Sequence, residues 1–424
     1  MLLSEPSPGT GEAITSAKTE FFLLILALST VAGSALSLED ASHLSQRTGL
    51  GSPPPELMAL APLDRDQAVD YLLSRMSTEP SLPPPAWAQP PYLTAPGKPG
   101  HPADATDRKA FQLEEDARRQ ELRVWFVDEL VHSPAPLSDK LLLFWHNHFT
   151  SSLEKTNSAE LMLEQDLLLR KYSFGHFGDL LRAISVDPAM VIYLDGESNV
   201  KGKPNENYAR ELLELFTVGE GHYTEDDIKA AARAFTGWTV DRAQGLARFV
   251  PSRHDDGMKT FLGQTGPWKG EDIIRIILEQ DSCAYFITQE LWTYFISPAP
   301  DPDQVKRIAA DFKASGYDIR GLVRELLTSD AFWAPGNRAV LVKSPAELLI
   351  GFIRSWGITG YDPRRIAGEL GRLGQDLFNP LSVKGWPVGE DWIDASTLLE
   401  RRRDLSELSQ LVRAQAQAPE GNLE

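Results

Sequence analysis

Residues 204–216 read PNENYARELLELF, and their spacing predicts an α-helix. Tyr208, Leu212 and Leu215 recur at i, i+4 and i+7, on one side of a helical period, while Asn207, Arg210, Glu211 and Glu214 recur at i, i+3, i+4 and i+7 on another. Leu213 and Phe216 widen the apolar side. The polar stripe is therefore narrow, as on a helix packed against a neighbour. The pattern continues outward in both directions. Residues 157–172 open on an Asn157 and Glu160 capping box, 138–149 and 111–132 are amphipathic, and 64–76 set Val69, Leu72, Leu73 and Met76 on one face. Ser37 with Asp40 makes a further box. Asp187, Ser344 and Asp362 each stand before a proline, a capping side chain followed by a residue suited to the first helical turn, and Gly219 and Gly316 sit where helices should stop. Period-two alternation is confined to 238–240 against 247–250 across a turn at 241–245. The predicted fold is all-α, many short to medium helices with one small β-hairpin near 238–262.

Within that fold the chain divides by composition. Residues 21–36, FFLLILALSTVAGSAL, carry no charge and end in small residues, so 1–36 read as a signal peptide cleaved near Ala35, too short for a stable membrane span. No twin arginine precedes the run, so the expected route is the general secretory one and the expected address periplasmic or extracellular. A small helical segment follows at 37–77. Between 80 and 102 there are nine prolines, which fix φ and remove amide donors, so 80–102 are expected to have no regular secondary structure, inside a linker or surface strap at 78–107. The main helical domain is expected at 108–413, and 414–424 as a frayed tail.

The chain has 424 residues, 42% hydrophobic and 24% charged, with a net charge of −18. That field repels phosphate backbones, and no basic run longer than Arg401 to Arg403 exists, so nucleic acid is not an expected partner. The single cysteine, Cys283, excludes an internal disulfide and any cysteine-built zinc or iron-sulfur site. No nucleophile elbow, phosphate-binding loop or dinucleotide fingerprint occurs.

Chemistry is left to three clusters. His146 and His148 form His-x-His, but positions i and i+2 point to different sides of a helix, so sharing one ion needs the helix to unwind there. Glu211 with Asn207 and Arg210 lines the polar stripe, either as metal ligand or general base or as a face of ion pairs from Arg210 to Glu206 and Glu214. His254 and Asp255, before Lys259, lie on a loop beside Gly257, either as reactive groups or as an Asp-Gly turn. Together His146, His148, Glu211, His254 and Asp255 form a candidate catalytic set. His146, His148 and Glu211 are its candidate metal ligands, a mixed N and O set suited to zinc, iron, copper or nickel. Glu129 and His132 have the spacing of a di-iron ligand pair, but no second copy exists.

Seven phrases carry a family likeness: FWHNHF at 144–149, NENYARELLELFTVG at 205–219, HYTEDDI at 222–228, AFTGW at 234–238, HDDGMKTFLG at 254–263, VKSPAELLIG at 342–351 and VKGWPVGEDWI at 383–393. In this order they resemble the bacterial family catalogued as domain of unknown function 1800. The resemblance implies a helical, often exported protein, commonly encoded beside an exported sulfatase-like family, domain of unknown function 1501. It implies no reaction. Two readings stand: a metal-assisted hydrolase or oxidoreductase using the five residues above, or a non-catalytic binding or assembly partner of the sulfatase-like protein, with the same residues serving as an internal ion-pair network.

Overall fold

The computed structural model describes residues 35–98, 101–102 and 104–417; the expected leader therefore lies almost wholly outside the described residues. Among these, nineteen α-helices dominate, and strand is confined to three two-stranded antiparallel ladders. The fold class is the one the periodicity predicts. Local chemistry explains most boundaries. Asp64 caps Arg65–Ser74 by accepting from the Gln67 amide at 2.8 Å, Asp187 caps Pro188–Tyr193 through the Met190 amide at 2.9 Å, and Ser344 caps Pro345–Trp356 in a full capping box with Glu347. One expected box falls elsewhere. Asn157 adopts a left-handed conformation (φ 52°) that closes the short Leu153–Thr156 helix, and Ser158 caps Ala159–Tyr172 instead.

The center of the molecule is the Pro136–His148 helix. Its polar residues Ser138, Asp139, Lys140, His146 and His148 are buried along with Leu137, Leu141, Leu142 and Trp145, so it is enclosed on all sides. It packs against Ala159–Tyr172, while the 28-residue helix Ala105–His132 packs against Pro363–Arg372 and Pro345–Trp356. One hydrophobic cluster runs from Leu36 to Leu408.

The hairpin predicted in 238–262 forms, Trp238–Asp241 pairing with Leu246–Phe249 in the register Val240 to Ala247. A second hairpin, Lys259–Phe261 with Gln264–Gly266, corrects the expectation of one. Its turn has φ of 44° at Leu262 and 79° at Gly263, the conformation of a two-residue hairpin loop, and a leucine there hides the signal. The described residues of 80–102 contain no helix, and the strap ends at Asp104, which caps the Ala105–His132 helix a few residues before the expected boundary at 107. It carries a two-residue ladder, Gly97–Lys98 with His101–Pro102, against the expectation of no regular structure, since these amides are the ones prolines leave free. The strap is docked: the Ser81 amide and hydroxyl and the Leu82 amide all donate to Glu129 at 2.8 Å, and the Tyr92 hydroxyl donates to Glu164 at 2.6 Å. The last helix, Ala395–Gln417, continues beyond Ala414. No described helix is long and apolar enough to cross a membrane.

Candidate functional site

The Pro136–His148 helix stays regular to its last residue, so consecutive side chains at its end leave in different directions. The Nε2–H of His146 donates to Oδ1 of Asp166 at 2.8 Å, on the neighbouring helix. The Nε2–H of His148 donates to the Phe216 carbonyl at 3.0 Å, and burial pushes the imidazole pKa down to about 4. Between them Asn147 accepts from the Trp386 amide at 2.6 Å. Gly385 (φ 90°) lies so close that a Cβ there would meet the Asn147 oxygen at 2.2 Å. Three of the quoted phrases, FWHNHF, NENYARELLELFTVG and VKGWPVGEDWI, therefore meet at one seam.

The other predicted residues go elsewhere. The buried His254 donates from Nδ1 to the Thr236 carbonyl at 2.9 Å. Asp255 takes Arg233 in a two-pronged pair at 2.7 and 3.2 Å, which holds its carboxyl down at about 2. Lys259 donates to the carbonyls of Asp255 and Gly257, so this loop ties itself down. Arg210 pairs with Glu225 at 2.8 Å and Glu206 at 3.2 Å, and Asn207 donates to Asp195 at 2.9 Å. Glu211 is half-buried. Burial and the Glu214 carboxylate push its pKa up, against the pull of Arg210 and Lys384. Tyr223 donates to Glu214 at 3.3 Å.

Each of the five expected catalytic residues thus has other neighbours as its partners, and among the described residues no three of them lie close enough to share an ion. Among the described residues, the group whose acid or imidazole atoms lie close enough to share an ion is Glu369, Glu400 and Asp404, and Arg403 pairs with all three. The set His146, His148 and Glu211 does not fit a single metal ion, because both imidazoles face protein acceptors across an unbroken helix.

What spacing alone misses is the charge buried beside His146. Arg170 Nη1 lies 2.9 Å from Asp139 and 3.5 Å from Glu129, and all three side chains are at most 1% exposed. Asp166 acts on the same guanidinium electrostatically. Three carboxyls thus face one arginine and one histidine, and burial raises the Asp139 pKa to about 6. The available signal is charge out of pattern: Asp166 and Arg170 at i, i+4 within a leucine-rich helix, and Asp139 within an apolar run. Glu129 is buried here as the strap's acceptor, whereas His132 turns to the Asp128 carbonyl at 2.8 Å.

The sequence model of the family described as "Protein of unknown function (DUF1800)" matches residues 43–421. The chain belongs to the DUF1800 family. The seam at Asn147, His148 and Trp386 thus lies within the part of the chain that matches DUF1800. No curated protein and no solved structure matches the chain.

Proposed function

We propose that this DUF1800 chain works by binding, as an assembly protein outside the cytoplasm, its partner an exported sulfatase-like protein of the domain of unknown function 1501 family. The carrying observation is a run of exposed apolar side chains in 381–399: Leu381 is 77% exposed, Val388 60%, Leu398 56% and Leu399 68%. Apolar side chains repeated in this way along one surface segment favour a protein partner. The same segment holds Lys384, which acts on the half-buried Glu211, so exposed apolar side chains and charge alternate along one stretch of chain. In this reading the buried histidines and acids hold the helices together and call for no transition metal.

The test is direct binding, by calorimetry, between the mature chain and an exported sulfatase-like protein of the domain of unknown function 1501 family from the same organism. Val388→Asp and Leu399→Asp are expected to weaken binding at least about tenfold, about 1.4 kcal/mol, with an unchanged melting temperature. Absence of binding by the wild-type chain would overturn the reading. One transition-metal ion per purified chain, lost with Glu211→Gln, would restore the metal-assisted hydrolase or oxidoreductase.

A further inference from the structure

We propose that the cleft between the Leu38–Thr48 helix, the Pro136–His148 helix and the 338–343 loop binds a tetrahedral oxyanion, phosphate or sulfate, free or as the head of a monoester. The cleft encloses about 410 Å³ and is lined by Arg47, Lys140, Arg338 and Lys343, with Tyr294 forming part of its wall. Four cations in one cleft are notable in a chain with a net charge of −18. Two of them are matched: Arg338 by Glu39 at 3.0 Å and by Asp40, and Lys140 by Glu347.

Arg47 and Lys343 form no ion pair among the described residues. Arg47 is 8% exposed; its Nη2 donates to the Asn337 carbonyl at 2.8 Å, while its Nη1 is buried with no hydrogen-bond partner among the described residues. A buried guanidinium N–H without an acceptor is costly, and Arg47 lines the cleft, so a turn of its guanidinium toward an entering oxygen would satisfy that donor. Lys140 is 2% exposed, and its Nζ lies 4.5 Å from the Tyr294 ring centroid. Burial, Arg47 and Lys343 push the Lys140 pKa down, and the Glu347 carboxylate is in contact with it. A bound anion reverses that strain.

The shape of the donor set selects the anion. Arg47, Lys140 and Lys343 come from three separate elements, with Glu347 alone offsetting them in contact with Lys140. Three donors approaching from different elements suit an anion with oxygens in several directions and more than one charge; a carboxylate offers two oxygens in one plane. Tyr294, Leu341 and Val342 add an apolar wall that accommodates the organic part of a monoester. This inference is independent of the assembly reading.

The experiment follows thermal unfolding of the full chain in sodium phosphate, sodium sulfate and phenyl phosphate, with chloride and acetate at matched ionic strength as controls. The expected result is a saturable rise in melting temperature with the tetrahedral anions and none with the controls. Lys343→Gln, at the exposed rim, is expected to raise the apparent Kd about tenfold while leaving the melting temperature in chloride unchanged. Arg47→Lys removes the fork but keeps the charge, and should weaken binding further; if that variant does not fold, Lys343→Gln decides. Tighter binding of phenyl phosphate identifies a monoester as the ligand, and equal binding identifies the free anion; both support the site. No saturable shift with any of the three anions, or a shift that Lys343→Gln leaves intact, overturns it.

Discussion

His146 and Asp166 face each other across 2.8 Å, both buried, between the two helices that form the middle of the molecule. Removing either partner leaves the other desolvated and unpaired, so His146→Ala or Asp166→Ala is expected to cost about 3–5 kcal/mol. The double variant His146→Ala with Asp166→Ala should cost clearly less than the sum of the two, since it removes both polar groups. Urea unfolding of the four proteins measures the coupling; strict additivity would mean that the pair contributes nothing as a pair.

His148 makes the chain acid-sensitive. Its pKa falls from 6.5 to about 4 on folding, so between these values the unfolded state binds the extra proton and stability drops as pH falls. The full effect is about 3 kcal/mol. His148→Gln, which keeps a donor for the Phe216 carbonyl, should flatten that part of the stability profile between pH 6.5 and 4. An identical slope in wild type and variant would show that the imidazole titrates normally.

Asp187 acts with the opposite sign. Burial raises its carboxyl from 3.8 to about 7, so the folded state holds the proton in that window, and stability is lost as pH rises through it. Asp187→Asn keeps the acceptor for the Met190 amide and carries no charge. Its stability relative to wild type should therefore grow by several kcal/mol between pH 4 and pH 7.5, read from denaturant midpoints at each pH.

Glu129 holds the strap through three donors at 2.8 Å. Glu129→Ala should release residues 80–96 first, seen as faster amide exchange there and new protease cuts, together with a global loss of about 3 kcal/mol from the Arg170 it also faces. Unchanged exchange in 80–96 would assign the strap's docking instead to the Tyr92 hydroxyl on Glu164 and the Trp87 indole N–H, which donates to Glu121 at 2.9 Å.

Sequence reasoning reaches as far as local chemistry does. The caps at Ser37, Asp187, Ser344 and Asp362 are legible because donor and acceptor lie within a few residues. The first hairpin is legible for the same reason. The second is hidden because Leu262, not Asn or Asp, occupies its first positive-φ position. Site geometry depends on partners that spacing does not name. His146 and His148 read as a pair, yet they meet Asp166 and the Phe216 carbonyl, 20 and 68 positions away. Lys140 is the residue a closer reading of the pattern would single out, a charge within an apolar helical run.

The Leu38–Thr48 helix is bonded to the far part of the chain: His43 to the Phe332 carbonyl and Arg47 to the Asn337 carbonyl, across 289 and 290 positions. During synthesis at about 5–20 residues per second, that helix waits on the order of 15–60 seconds for its mates to emerge from the ribosome. Until then the His43 imidazole and the Arg47 guanidinium lack the two carbonyls they bond in the finished molecule and stay open to solvent and to chaperones. The oxyanion cleft shares Arg47 with this helix, so it is among the last features to close, and a nascent chain stalled before residue 337 should lack it altogether.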